Sequence, residues 1–366
     1  MIDRTDAAAM EMAYGLAEKA VGRASPNPCV GAVIVRGGRI VGHGHHEAAG
    51  EPHAEIVALR RAGARAKGAT LYVTLEPCVH WGRTPPCADA VLTAGFRRIV
   101  ISALDPNPLV FGKGARRLRR AGLDVSVGLL AERNRRLNEA PSKYVTRGIP
   151  FVTLKAALSL DGRMATRSRD ARWISSAAAR DYIHLLRAEH DALLVGIGTV
   201  LADDPRLTVR HALWPRKALT RVVLDANLRL PLRARLLSTL DRGPVLVFAR
   251  AGARGGKRDA LLRKGVEIIT IPGHGPDLDL ARVLARLGER GIASVLVEGG
   301  GRVATSLLEA RLADKAFFTL SPLLIGGREA VSVFGGEGAA KVKDAFALRS
   351  VSAFRIGPDT VLEGYF

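Results

Sequence analysis

The sequence predicts an α/β protein of two domains, and three observations carry that expectation. The chain has 366 residues, which is long for one domain and ordinary for two. Short runs rich in β-branched residues alternate with stretches of helical periodicity, the rhythm of a layered α/β architecture. That rhythm lapses at residues 138–150, NEAPSKYVTRGIP, where Pro141, Gly148 and Pro150 punctuate the chain, and then restarts. The expected domains are therefore 1–147 and 148–366.

The elements follow in order. A helix is expected over residues 6–21, with Asp6 as its N-cap and Gly22 near its end. VGAVIV (30–35) and RIVGHG flank Gly37-Gly38 and read as a β-hairpin. HAEIVALRRAG is a short helix ending at Gly63, and ATLYVTLEPC is a strand running into a Pro-containing turn. CADAVLTAG reads as a helix, FRRIVISALD as a strand, KGARRLRRAG as a helix and LDVSVGLL as a strand. Beyond the break, strands are expected in FVTLKAAL, DALLVG, RVVLD, PVLVFA, VEIITI, SVLVEG, AFFTLSPLL and TVLEGYF. Helices fall in SAAARDYIHLLRAE, DLARVLARLGER and RVATSLLEARL, while GARGGKRD reads as an exposed loop. Strand order is not legible from these patterns.

Composition narrows the function classes. Apolar residues make up 48% and charged residues 25%, the balance of a soluble globular protein. No run approaches the roughly 20 apolar residues of a membrane span, and the N-terminal stretch has acids spread through it and no signal-peptide core. Cys29, Cys78 and Cys87 are too few for a disulfide scaffold, so a cytoplasmic location is expected and paired thiols point to metal binding or catalysis. The net charge of +20 admits two readings: nucleic-acid binding, or attraction for phosphorylated small molecules on a well-solvated surface. The basic residues form no long block, and aromatics are only 5%, so stacking platforms for single strands are not evident. A phosphorylated small-molecule partner is expected, with no nucleic acid and no membrane.

The strongest chemical signal is His53-Ala54-Glu55 followed by Pro77-Cys78 and Cys87. Catalytic zinc takes three protein ligands and leaves a fourth position for water; one imidazole and two thiolates fit that count. His53 and Glu55 stand at a helix start, Cys78 follows a strand and Cys87 opens a helix, and helix N-termini stabilise thiolates. A metal there would lower the pKa of its water to about 7. Glu55, next but one to a ligand, is placed to shuttle protons to a leaving amine. Nucleobase deaminases carry H-x-E with P-C-x-x-C; here eight residues, VHWGRTPP, separate the two cysteines. Two cysteines alone are more often buried small hydrophobes than ligands, and Cys29, inside the apolar PCVGAVIV run, is read that way.

These residues and their neighbours, PNPCVGAVIV, HHEAAGEPHAE, TLEPCVHWGRTPPCADA and DPNPLVFGKG, resemble the bifunctional riboflavin-biosynthesis deaminase–reductase family. The resemblance covers essentially the whole chain, and the long insert between the cysteines is specific to it. It implies a cytidine-deaminase-like three-layer domain followed by a dihydrofolate-reductase-like domain, with Zn2+ and NADPH as cofactors. Position by position, His53, Cys78 and Cys87 would hold zinc and Glu55 would be the proton shuttle. Asn27 would bond the pyrimidine or ribose, and His46, His80 and Arg83 would hold the ribosyl phosphate. Asn27 between two prolines is also a good turn residue, and Arg83 could be a solvated loop charge.

In the second domain the resemblance rests on LKAALSLDGRMAT, RWISSAAARDYIHLLRAEHDALLVGIGTVLADDPRLTVR and LVEGGGRVATSLLEARLAD. It implies that Ala157, Trp173, Thr199, Asp203 and the run Gly300, Gly301, Arg302, Val303, Ala304, Thr305 and Ser306 contact NADPH. Arg187, Leu207, Arg210 and Glu298 would line the substrate site, the arginines being suited to a phosphate. A Gly run between a strand and a helix lets backbone N–H groups approach a phosphate, though such runs also close ordinary turns. Trp173 and Leu207 could equally be core residues, and Asp203-Asp204-Pro205 a helix-ending turn. No G-x-G-x-x-G occurs, so a Rossmann domain is not supported.

Departures from the family pattern are Val79 in place of Ser, Trp81 in place of His or Tyr, and no Gly-Phe pair after Leu137-Asn138. Ala171 replaces a substrate-contacting Ser and Ala226 a cofactor-contacting one. The implied chemistry is hydrolytic deamination of a diaminopyrimidinone ribosyl phosphate, then NADPH reduction of the ribosyl to a ribityl chain, in an enzyme expected to be a homo-oligomer. Two rivals are a base deaminase acting on nucleic acid, suggested by the charge, and a zinc-stabilised scaffold that has lost turnover, suggested by the departures.

Overall fold

Strands in this chain read apolar on both faces, which requires cover on both faces and hence helices above and below each sheet. The computed structural model describes every residue except 1–3, 82–84, 215–217, 254–256, 274–276 and 337. The chain divides into two compact units, Met1–Gly148 and Ile149–Phe366.

The first unit contains α1 (Arg4–Ala17), β1 (Gly31–Arg36), β2 (Arg39–His45), α2 (Ala54–Ala62), β3 (Thr70–Leu75), α3 (Cys87–Thr93), β4 (Arg98–Ala103), α4 (Lys113–Arg120), β5 (Asp124–Val127), α5 (Ala131–Leu137) and α6 (Glu139–Arg147). The sheet order is β2-β1-β3-β4-β5, with β1 antiparallel to both neighbours and β3, β4 and β5 parallel. Successive residues separate onto opposite faces, as a period of two demands. Ala32, Ile34, Leu71, Val73, Ile99 and Ile101 pack with α2, α3 and α4. Val33, Tyr72 and Val100 pack instead with Met10, Ala13 and Tyr14 of α1. Three layers result.

The second unit contains β6 (Phe151–Ser159), β7 (Arg163–Ala165), α7 (Ala177–Glu189), β8 (Ala192–Gly196), α8 (Ile197–Asp203), β9 (Thr220–Leu224), β10 (Val245–Arg250), α9 (Lys257–Arg263), β11 (Glu267–Ile271), α10 (Leu280–Gly288), β12 (Ser294–Glu298), α11 (Gly301–Glu309), β13 (Lys315–Ser321), β14 (Val331–Ser332), β15 (Arg349–Ile356) and β16 (Asp359–Tyr365). Nine strands form one sheet in the order β11-β10-β9-β8-β12-β6-β13-β16-β15. Seven are parallel, and β16 and β15 close the edge antiparallel. Leu193, Val195, Val223 and Val247 join the cluster that holds Ile183 and Leu186 of α7. Leu194, Val222, Leu224 and Phe248 face Val283 and Leu287 of α10 and Leu307 of α11.

Three local expectations are corrected. Asp6 is no N-cap: it lies in the first turn of α1, is 2% exposed, and accepts from Tyr72 Oη at 2.7 Å and from both terminal nitrogens of Arg98 at 3.0 Å. A carboxylate so paired is worth more inside than at a cap, because the alternative is a buried, unpartnered guanidinium. The stretch 138–147, read as a lapse in periodicity, forms α6 directly after α5; Pro141 sits in the first turn, where no N–H is required. GARGGKRD is only in part a loop, since its last residues begin α9 and 254–256 lie outside the described residues.

Close approach of α1 to β1 rests on Gly31. A Cβ built there would lie 1.9 Å from Ala13 O and 2.9 Å from Ala17 N. Both contacts are backbone, so nothing nearby can swing away. Gly31→Ala is expected to destabilise the first unit by about 3 kcal/mol, the upper part of the overpacking range, read as a lowered urea midpoint; an unchanged midpoint would contradict this packing.

Candidate active site

All six residues of β3 are buried, and the strand delivers the chain into Glu76-Pro77-Cys78. His53 occupies the extended position before α2 (φ −69, ψ 160), which leaves its imidazole free of the helix, and Glu55 lies in the helix's first turn. Cys87 is the first residue of α3, and its backbone N–H donates to Cys78 Sγ at 3.3 Å. Donor atoms of His53, Cys78 and Cys87 all fall within 4.8 Å of one another. His53 Nδ1 stands 3.1 Å from Cys87 Sγ and 3.6 Å from Cys78 Sγ. Tetrahedral zinc with ordinary bond lengths needs N···S edges of about 3.6 Å and S···S edges of about 3.8 Å. One nitrogen and two soft sulfurs at these separations therefore fit zinc and do not fit a hard, oxygen-seeking cation.

Protons are already displaced within this group. The hydrogen bond from Cys87 and the His53 imidazole outweigh burial and hold the Cys78 thiol down to about 4. Cys87 is pushed upward as the partner that keeps its proton, and its hydrogen bond to Cys78 is the main cause. His53 is raised, first by its hydrogen bond to Cys78. Burial, aided by the Cys78 charge, lifts the Glu55 carboxyl to about 7. A carboxyl poised near neutrality both accepts and returns a proton at the working pH.

A cavity of ≈ 280 Å³ opens over these groups. Asn27 and His46 line it together: Asn27 Nδ2 lies 3.0 Å from His46 Nε2, and His46 Nδ1 lies 3.3 Å from Pro52 O. The His46 ring meets His53 edge-on at 5.1 Å, so the wall residue abuts a donor of the metal set. His80 also lines the cavity, and its buried Nδ1 has no hydrogen-bond partner among the described residues. Arg83 lies outside the described residues. Cys29 is buried with Ala20 and Ala24, and burial pushes its thiol up to about 12, an inert core thiol.

Sequence reasoning passed over Glu76, Asp105 and Asn107, which line the same cavity. Glu76 accepts three backbone N–H bonds, from Gly112 at 2.9 Å, Ala115 at 2.8 Å and Asp105 at 3.2 Å, tying the loop after β4 to the turn that carries Cys78. Burial raises the Asp105 carboxyl to about 6, and Asp105 receives the Asn107 N–H at 2.8 Å. The available signal was DPNP directly after a predicted strand, an Asp and an Asn at the carboxyl end where α/β sheets bind ligands.

In the second unit, Arg187 and Glu298 form a bidentate pair, both contacts 2.6 Å, and Arg187 Nη1 donates to Thr208 O at 3.0 Å. All three guanidinium nitrogens of Arg187 are thus engaged by the protein. Arg210 Nη1 reaches Thr208 Oγ1 at 3.3 Å, and its backbone N–H donates to His184 Nδ1 at 3.3 Å. Leu207, which precedes Thr208 in the chain, is buried in the apolar cluster with Ile183 and Leu186. Burial works against the Glu298 carboxylate, but Arg187 and Lys155 overcome it and hold it down to about 2. Lys155, which sequence reasoning also missed, is lowered by burial and by Arg187, against the pull of Glu298. Its signal was a lone Lys inside the apolar strand FVTLKAALS.

Beside this cluster, Gly299 and Gly300 take positive φ (76 and 82) before α11, and a Cβ on either would meet Thr199 Oγ1 at 3.1 and 3.5 Å. Thr199 and the Gly turn are thereby brought together, and Gly300, Ala304 and Lys155 line one small cavity. Gly301 begins α11, whose first two turns hold Val303, Thr305 and Ser306. Arg302 is exposed and paired with Asp277 at 2.7 Å. Asp203 ends α8 with Asp204 left-handed (φ 42) behind it, and its carbonyl receives Arg172 Nη2 at 3.4 Å. Trp173 is 68% exposed, with Arg180 4.5 Å above its ring, so it is no core residue. Ala171 lies exposed, Ala226 just past β9 and Ala157 on β6.

Comparison with known proteins is consistent across both units. Residues 3–103 match the cytidine and deoxycytidylate deaminase zinc-binding region, and residues 150–362 match the RibD C-terminal domain. Riboflavin biosynthesis protein RibD of Aquifex aeolicus is 42% identical over 99% of both chains, and that of Bacillus amyloliquefaciens 44% identical over 96% of this chain and 94% of its own. Among solved structures, Acinetobacter baumannii RibD superposes with a TM-score of 0.87 at 36% identity, covering 99% of each chain. A Thermotoga maritima protein described as a diaminohydroxyphosphoribosylaminopyrimidine deaminase/5-amino-6-(5-phosphoribosylamino)uracil reductase superposes at 0.85, with 36% identity over 99% of this chain and 98% of its own.

The donor geometry makes a direct prediction. Cys87→Ser should lower the bound zinc, measured by atomic absorption on dialysed protein, from about one per chain to near zero, since a hard hydroxyl replaces a soft thiolate. Retention of full zinc by this variant would remove Cys87 from the ligand set.

Proposed function

The chain belongs to the RibD family of riboflavin biosynthesis, and on that premise we propose how its residues divide the family's two reactions. It is a bifunctional enzyme, a zinc-dependent deaminase acting on a small phosphorylated pyrimidine, joined to an NADPH-dependent reductase. The deaminase occupies 1–147 and the reductase, of dihydrofolate-reductase-like fold, 148–366.

One observation carries the deaminase assignment: one imidazole and two thiols converge within 4.8 Å, and His53 and Cys78 of that group line a cavity with a carboxyl raised to about 7. His53, Cys78 and Cys87 would hold zinc, which when bound acidifies a water to a pKa of about 7 and so supplies the nucleophile. Glu55 takes the proton of the attacking water and returns it to the amine, which leaves as ammonia while the ring carbon exchanges its C–N bond for C–O. Asn27 holds the pyrimidine or ribose edge, and His46 beside it helps hold the ribosyl phosphate. His80, with its orphaned Nδ1, and Arg83 hold the phosphate.

In the reductase, NADPH supplies the hydride that the ribosyl carbon receives. Thr199, Asp203, Trp173, Ala157, Ala226 and the turn from Gly300 to Ser306 are the cofactor contacts in this reading. Arg187 and Glu298 act as a pair that shapes the wall beside Lys155, and Lys155 holds the proton that the reduction consumes along with the hydride. Leu207 and Arg210 complete the sugar-phosphate site, and Ala171 borders it.

Two finer points of the proposal concern assembly and location. β15 ends the nine-stranded sheet with five consecutive exposed residues, and an open strand edge suits pairing with a second copy, in support of a homo-oligomer. No described helix is long and apolar enough to cross a membrane. Ligand thiols that must stay reduced support the cytoplasm as the working compartment.

The test is a two-channel assay on zinc-loaded protein with the diaminopyrimidinone ribosyl phosphate, following ammonia release and NADPH oxidation separately. Both signals are expected, oxidation lagging deamination. Glu55→Gln should keep the fold and zinc and cut ammonia release by about 10²-fold or more. Lys155→Met should silence NADPH oxidation alone. Ammonia release that survives Glu55→Gln would refute the proton-shuttle assignment.

A further inference from the structure

The deaminase cavity takes one wall from the segment SPNPCV just before β1, which carries Asn27. Nothing in that loop belongs to a helix or strand, so its backbone polar groups need partners from elsewhere. One buried side chain provides two of them. Asn138, 2% exposed, accepts the Cys29 N–H at 2.7 Å through Oδ1 and donates to Cys29 O at 3.1 Å through Nδ2. An amide that meets both groups of one residue imitates a strand neighbour and leaves that residue no freedom to shift or rotate.

Asn138 is free to do this because of where it stands. It occupies the joint between α5 and α6 (φ −113, ψ 26), where an Asn would ordinarily cap the second helix, yet its side chain makes no cap bond. The amide is spent on the loop instead. Four residues earlier, Asn134 does a similar task, donating to Thr74 O at 2.6 Å, while Thr74 Oγ1 receives the Gly31 N–H at 3.1 Å. α5 is thereby stapled to β3 and to both ends of the loop's last segment, 29–31.

We propose that Asn138 is a positioning residue of the deaminase: by clamping Cys29 it fixes Asn27, two residues upstream, against His46 at the cavity wall. The proposal rests on the reading that Asn27 contacts the substrate. None of the proposed zinc donors lies in the segment that Asn138 bonds, for His53 directly precedes α2, Cys87 begins α3 and Cys78 lies in the turn after β3. Loosening the clamp should therefore spoil substrate fit and spare the metal. A merely structural Asn138 would instead alter stability or zinc content with no separate effect on KM.

The experiment compares Asn138→Ala, Asn138→Asp and Asn27→Ala in the full-length, zinc-loaded enzyme. Ammonia release gives kcat and KM for the deaminase, and NADPH oxidation with the deaminated ribosyl phosphate serves as an internal control for the other unit. Asn138→Ala is expected to raise the deaminase KM by about tenfold with kcat within about twofold, the signature of lost ground-state binding, with one zinc per chain and unchanged reductase kinetics. Asn138→Asp keeps the acceptor for the Cys29 N–H and loses the donor, so its KM should fall between. Should Asn138→Ala fail to accumulate as folded protein, Asn138→Asp carries the test by itself. A wild-type KM in the Asn138 variants while Asn27→Ala raises KM overturns the positioning role, as does a loss of kcat that tracks a loss of zinc. A wild-type KM in Asn27→Ala as well overturns the underlying reading of Asn27.

Discussion

The first unit depends on one constraint: the carboxyl end of β3 must be held still, because three soft donors meet just beyond it. Protein interiors admit polar groups only when they are bonded, and here nearly every polar atom at that end is spent on fixing something else. Thr74 binds both Gly31 and Asn134, and Glu76 binds Asp105, Gly112 and Ala115. The carbonyl of Cys78 receives the Ala88 N–H at 3.1 Å, closing α3 onto the turn. Metal sites work when the shell behind the ligands is rigid.

Buried charge organises the second unit in a different way. Lys155, Arg187 and Glu298 are three ionisable groups within one wall, and taking charges out of water costs more than a pair returns unless the geometry is close and the remaining atoms are satisfied. The bidentate contact and the bond from Arg187 to Thr208 O meet that condition for Arg187 and Glu298. Lys155 is attracted by Glu298 but has no short partner among the described residues, in a strand whose other residues are nearly all buried. Such a group is expensive for a fold and useful for chemistry that consumes a proton. Arg221 offers the contrast: fully buried on β9, it donates to the carbonyls of Leu236 and Gly243 and to Thr239 Oγ1.

Most elements were legible because both sheets alternate core-facing residues across two covered faces, and their apolar runs end in Gly or Pro turns. The zinc donors were legible too, since His, Glu and Cys in that spacing have few alternative uses together. What failed did so for definable reasons. Asp6 looks like a cap by position, but its partners Tyr72 and Arg98 are distant in sequence. α6 was hidden by Pro141, whose effect depends on a helix start that only the structure locates. Glu76, Asp105 and Lys155 line the two cavities through burial and through contacts made across strands, and neither can be counted along a single chain. Arg187 suits a phosphate by type, and its contacts with Glu298 and Thr208 could not be read from the sequence.

The departures from the family pattern bear on fit more than on folding, and their settings say why. Ala171 lies exposed and Ala226 is half-buried at the end of β9, so a missing hydroxyl at either leaves no stranded partner inside the protein. The large penalty of a lost hydrogen bond comes from the buried group left behind. Where solvent can replace the hydroxyl, only the net bond is forfeited, about 0.5–1.5 kcal/mol, or a few-fold to about tenfold in affinity. Val79 follows Cys78 directly, yet the contact that closes α3 onto that turn is the carbonyl of Cys78, a backbone group independent of side-chain identity. The metal donors and Glu55 therefore keep their arrangement through these substitutions, and a scaffold that has lost turnover has no physical basis in them.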